Sequence, residues 1–151
     1  MEHYGEYLQR VNWGPSERLH NWIAARIVEN FESKTRHLVD WSSPSFSLIE
    51  IGTGTGRIAK VIRDSRLGAY LGVEPNPKLA KHSRALGFDI SEDSLPNLQE
   101  SWGERFDATI SLHVIEHAPT YLDARDWLKE MKRITKEGGG NIGCSTRYTR
   151  L

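Results

Sequence analysis

The sequence is poor in cysteine, with Cys144 alone among 151 residues. One thiol cannot form an intrachain disulfide, and it cannot assemble a cysteine-rich zinc centre. Its ordinary role is a small buried residue in a strand, and no metal site is expected. Net charge is also missing, since 20 Lys and Arg balance 20 Asp and Glu. Nothing then draws the whole molecule toward a phosphate backbone, which argues against nucleic acid and toward a small molecule or a protein as partner. There is no apolar run of membrane-spanning length, no basic leader followed by an apolar stretch, and no internal repeat. The expectation is a reducing, cytoplasmic setting with no membrane partner.

What is present is an alternation of strand-like and helix-like segments. Leu19, Trp22, Ile23, Ile27 and Phe31 recur at helical spacing after Trp13-Gly14-Pro15, which predicts a helix that docks through this apolar face. Residues 46–51 read as a mostly apolar strand that runs into a glycine cluster, and a helix is expected from Arg57 to about Arg66. A second strand is predicted over 69–73, a helix over 77–85 closed by Gly87, a weak third strand over 88–90 and a fourth over 106–111. Ala124, Trp127, Leu128, Met131 and Ile134 mark one more amphipathic helix, ended by Gly138, Gly139 and Gly140, with a last strand over 141–145. Such alternation implies parallel strands joined by right-handed crossovers. The fold class is therefore α/β, an open twisted, mainly parallel sheet with helices on both faces. A helical cap or lid segment over 1–45 would precede the main domain, 46–151.

The chemistry concentrates around Glu50-Ile51-Gly52-Thr53-Gly54-Thr55-Gly56, between a strand and a helix. Glycines there let the backbone turn sharply and approach a ligand closely, at the strand end where ligands of open α/β sheets bind. A dinucleotide fingerprint would place its third glycine at position 57, which is Arg57, and would not need the acid at Glu50. Further along stand Glu74 in Gly72-Val73-Glu74-Pro75-Asn76-Pro77, then Phe106-Asp107 with His113-Val114-Ile115-Glu116-His117, then Lys136-Glu137-Gly138-Gly139.

These four motifs, in this order over residues 46–145, resemble the class I S-adenosylmethionine-dependent methyltransferases, whose fold is Rossmann-like. The segment after the fourth strand is similar to the ubiquinone-biosynthesis O-methyltransferases. The resemblance implies S-adenosylmethionine as cofactor and O- or N-methylation of a small-molecule acceptor. It implies that Glu50 counters the cationic amino-acid end of the cofactor, directly or through water. The backbone of Gly52, Thr53, Gly54 and Gly56 would pack against its methionyl and ribose parts. Glu74, followed by Pro75, would accept from both ribose hydroxyls, a bidentate geometry suited to a carboxylate. Ser91 and Glu92 fall where the family reads the adenine amino group, with Asp89 and Asp93 competing for that place. Ser111 would offer its main-chain carbonyl to the methionyl amine. Tyr4, Tyr7 and Trp13 would form a lid that excludes water from the sulfonium.

Transfer from a sulfonium is an in-line displacement on an activated carbon, so orientation supplies much of the acceleration. A general base matters when the acceptor must lose a proton, and histidine changes charge near neutral pH. His113 and His117 are accordingly the catalytic candidates, and each can equally be a hydrogen-bonded structural residue. Glu116 reads as a loop anchor or helix cap. The family's sheet normally continues to seven strands, so this chain is expected to be truncated after the fifth. An uncovered edge at that strand predicts a homodimer or another association there. A rival reading is a cofactor-binding but catalytically silent partner subunit or a fragment of a larger methyltransferase. A nicotinamide-dependent oxidoreductase is a weaker third.

Overall fold

The computed structural model describes residues 14–65 and 68–144. Helix α1, Gly14–Thr35, leads into strand β1, Ser47–Ile51, followed by α2, Arg57–Asp64, and β2, Ala69–Val73. Then come α3, Pro77–Ala85; β3, Ile90–Ser91; β4, Phe106–Leu112; α4, Tyr121–Ile134; and β5, Thr135–Cys144. The five strands form one sheet in the order β3-β2-β1-β4-β5, and every pairing is parallel. The expected α/β sheet with helices on both faces is the fold observed. Its order reverses between β1 and β4, which opens a crevice beyond their carboxyl ends.

Strand alternation distributes the core. Leu48, Ala108 and Ile110 meet Ala24, Val28 and Phe31 of α1 and Ile58 and Ile62 of α2 on one face. Ile49, Ile51 and Val73 meet Ala124, Met131 and Ile134 of α4 on the other. Trp41 bridges the α1 side, edge-on to Phe31 at 5.3 Å and tilted against Phe46 at 4.5 Å. Its indole N–H donates to Thr35 Oγ1 at 2.9 Å, so the ring is buried without an orphaned donor.

Helix starts follow local chemistry. Asn76 caps α3 by accepting from the amides of Lys78 and Leu79, with Pro77 in the first turn. Thr120 and Asp123 form a reciprocal capping box at the start of α4.

Three expectations need correction. The buried stripe of α1 is Ala24, Val28, Phe31 and Thr35, whereas Leu19, Trp22 and Ile23 are exposed. Alanine carries little hydrophobic signal, so the face was displaced by about one residue toward the larger side chains. The third strand lies at Ile90–Ser91 instead of 88–90. The three glycines also do not end α4: the helix stops at Ile134 and β5 begins directly at Thr135. Thr135 pairs with Phe106 and Gly140 with Ala108, so the glycines form a bulge in which five steps of β5 match two of β4. Arg66, at the expected end of α2, and Tyr4, Tyr7 and Trp13 of the expected lid lie outside the described residues.

Candidate functional site

The crevice at the strand-order reversal is a cavity of about 690 Å³. That is within the roughly 300–1,000 Å³ of small-molecule sites. One wall is the turn after β1 with the end of β2: Ile51, Gly52, Gly54, Val73, Glu74 and Pro75. The opposite wall is the segment after β4, Leu112, His113, Val114, Glu116 and His117, with Trp127 of α4. Leu79, Ser94 and Leu95 close the third side.

The glycine turn is held from both ends of its backbone. Gly52 and Thr53 donate their amides to the Val73 carbonyl, at 2.8 and 3.1 Å, which ties the turn to β2. Gly54 donates its amide to Glu74 Oε2 at 2.8 Å, and its carbonyl accepts from Ser83 Oγ at 3.0 Å. Gly54 has φ +58, and a Cβ there would meet no atom closer than the Gly52 carbonyl oxygen at 4.0 Å. Backbone thus lines open space where a side chain would stand, which is the shape of a ligand cradle. Gly52 is different: a Cβ would lie 2.4 Å from Val114 Cγ2, so the two walls touch there.

Glu74 is 6% exposed, and its other carboxylate oxygen accepts from the Asn76 amide at 2.9 Å. Each oxygen retains lone-pair capacity for a further donor, so hydroxyls in the cavity can still be accepted. Glu50 is 4% exposed and lies on the opposite face of β1 from Ile51, beneath the turn and outside the cavity lining. Burial raises its carboxyl to about pKa 8, while a hydrogen bond from Tyr70 partly offsets this and the Glu74 charge adds to it.

On the far wall His113 adopts φ 55, a left-handed conformation that a bulky residue rarely takes. Its Nδ1 lies 3.4 Å from Glu116 Oε1. Both histidines are exposed and both line the cavity.

Of the sequence candidates, the structure gathers Gly52, Gly54, Glu74, Pro75, His113 and His117 around one cavity. Glu50, Thr53, Gly56, Ser91, Glu92 and Ser111 do not line it. Glu92 pairs with Arg84 at 2.5 Å, on exposed surface. Ser91 donates to Asp93 Oδ2 at 2.5 Å, and Asp93 also accepts from Gln99. Ser111 is fully buried opposite Ile51, and its hydroxyl has no hydrogen-bond partner. Val114 lies within the expected motif of residues 113–117, whereas nothing in the sequence marked Leu79, Ser94 and Leu95 as site residues. Among the described residues there is no cluster fit to hold a metal ion, and no helix long and apolar enough to cross a membrane.

A family model described as "Methyltransferase domain" matches residues 16–149. No curated protein matches the chain. Many solved structures share the fold, and three of them illustrate the likeness. The sugar N-methyltransferase KedS8 from a Streptoalloteichus species is 19% identical, with TM-score 0.61 over 76% of this chain and 46% of its own. DesVI from Streptomyces venezuelae is 16% identical, with TM-score 0.68 over 83% and 50%. An S-adenosylmethionine-dependent methyltransferase from Mesorhizobium loti is 17% identical, with TM-score 0.58 over 75% and 52%. The chain thus spans about half the length of these structures.

Proposed function

This chain belongs to the methyltransferase domain family, and we propose from its site that it binds S-adenosylmethionine and directs a methyl group to a small-molecule acceptor. The observation that carries the reading is the open cradle at Gly54, tied to a buried Glu74 at the point where the strand order reverses. The donor set fits the cofactor: a carboxylate for ribose hydroxyls, exposed turn backbone and an apolar floor of Ile51, Val73 and Leu79. When bound, S-adenosylmethionine supplies an activated methyl carbon.

The residues of the chain then have distinct tasks. Glu74 orients the ribose while holding the turn through Gly54. Glu50 acts from beneath the turn, through its field or a bridging water, on the cationic amino-acid end. Ser111 contributes its carbonyl at the end of β4. Ser91 is left as the neighbour of an Asp93 that serves the adenine side, and Glu92 is committed to Arg84. His113 and His117 face the acceptor half, and His113, with Glu116 beside its Nδ1, is placed to take a proton from a hydroxyl or amine. The likeness of residues 113–117 to ubiquinone-biosynthesis O-methyltransferases favours an oxygen acceptor. The sugar N-methyltransferase among the structural relatives keeps nitrogen open.

Calorimetric titration with S-adenosylhomocysteine against NAD tests the cofactor. Binding of NAD and not S-adenosylhomocysteine overturns the reading. An acceptor screen that detects S-adenosylhomocysteine release tests turnover, and His113→Ala should slow it by about 10²–10⁴-fold if the histidine is the base. A chain that binds S-adenosylhomocysteine and turns over no acceptor is instead a silent subunit.

A further inference from the structure

Beneath the glycine turn, on the face of the sheet away from the cavity, three polar side chains meet in otherwise apolar surroundings. Tyr70 of β2 donates its hydroxyl to Glu50 Oε2 at 2.5 Å, and the same hydroxyl lies 3.2 Å from Thr53 Oγ1. While Glu50 is ionised the phenol's one proton goes to its carboxylate, and Thr53 is then the donor in the second contact. The chain of bonds therefore runs from the turn, through Tyr70, to the acid that opens the motif. Room for it is built in: a Cβ at Gly72 would come within 2.3 Å of Thr53 Oγ1 and 3.1 Å of the Tyr70 hydroxyl. The Tyr70 ring packs edge-on to Phe88 at 6.0 Å, which fixes the phenol in place.

We infer that Tyr70 is a positioning residue for the cofactor turn, holding Thr53 and the Glu50 carboxyl in the arrangement that receives a cationic ligand. The inference rests on the reading that Glu50 counters the amino-acid end of S-adenosylmethionine. Burial is the largest influence on both groups, raising the Glu50 carboxyl to about pKa 8 and the Tyr70 phenol well above its usual range. The helices α1 and α2 turn apolar side chains onto this face. The neighbouring charge felt by Glu50 is Glu74, of the same sign. A bound cation would favour ionised Glu50, so binding should release a proton below pH 8 and tighten as pH rises toward 8. The Tyr70 bond favours the same ionised form, and its loss should move that dependence to higher pH.

The test uses Tyr70→Phe, which keeps the ring and removes the hydroxyl, beside Glu50→Gln. S-adenosylhomocysteine affinity is measured by calorimetry from pH 6 to 9 in buffers of different ionisation enthalpy, and hydrogen exchange of the amides of residues 52–56 is measured without ligand. The wild-type affinity should rise by about tenfold per pH unit below pH 8. In Tyr70→Phe binding should weaken, its midpoint should move upward and the turn amides should exchange faster. Glu50→Gln should abolish the proton release. A Tyr70→Phe profile that superimposes on wild type overturns the inference, even if the turn loosens, because packing alone would explain that. If wild type binds no S-adenosylhomocysteine, the functional reading falls; unchanged exchange in the turn of Tyr70→Phe then overturns the positioning role separately.

Discussion

The two walls of the cavity are built in opposite ways. The turn after β1 is fixed by backbone bonds to β2, by Glu74 and Ser83 at Gly54, and by Tyr70 and Glu50 beneath it. The segment after β4 is anchored by buried Ile115 and Ala118 and by Val114 against Gly52, and it presents two exposed histidines, one in a left-handed conformation. Its exposed histidines can change without disturbing the sheet, whereas the side chains that tie the glycine turn cannot. That division suits one constant ligand on the first side and a variable one on the second.

The most damaging test of the contrast is Gly54→Val. A side chain at φ +58 is strained, and it would fill the cradle. S-adenosylhomocysteine binding should disappear in calorimetry, while circular dichroism shows the helices retained. Survival of binding would mean that the tied wall is not the cofactor wall. Glu74→Ala comes next, with an expected loss of about 2–4 kcal/mol of affinity if two charge-assisted hydrogen bonds go. Unchanged affinity in a folded variant would remove the ribose assignment.

A third test concerns stability of the free protein. Because the folded-state carboxyl of Glu50 is raised from 4.5 to about 8, the folded protein binds a proton that the unfolded chain has lost. Its contribution is fully present below pH 4.5 and is lost as pH rises toward 8, by roughly 1.4 kcal/mol per unit. Melting followed from pH 4 to 9 should show this decline in wild type and a flatter profile in Glu50→Gln. Equal slopes would mean that Glu50 titrates normally. The smallest effect belongs to the loose wall: His113→Gly relieves the left-handed strain and should stabilise the fold by about 1 kcal/mol in denaturant unfolding. A destabilised variant would show that His113 contacts hold that segment together.

The same contrast explains what could be read from the sequence. The tied wall was legible because its chemistry is contiguous: Glu50 to Gly56 and Gly72 to Pro77 each carry their own turn signals, and α3 fell at its observed bounds from Pro77 and Gly87. Tyr70 escaped because a tyrosine in a strand is ordinary until its face is known to be that of Glu50. The facing wall was legible as one of the four motifs, at residues 113–117, but its contact with Gly52 joins positions distant in sequence and was not. In β5 the local rule misled outright. Three glycines are a proper helix stop, but tertiary pairing with β4 drew the chain into a strand six residues earlier than the expected start at Asn141. Glu92 pairs with Arg84 across the surface, a contact that the sequence pattern did not show.

The missing loop between α4 and β5 has a mechanical consequence. Thr135 is both the cap of the helix and the first residue of the strand, and its hydroxyl is bonded to Met131 and Thr109. Arg133, two residues before, grips the carbonyls of Gln99 and Glu100. There is no slack for α4 to swing like a door on its carboxyl end, so Trp127 is a fixed jamb of the cavity.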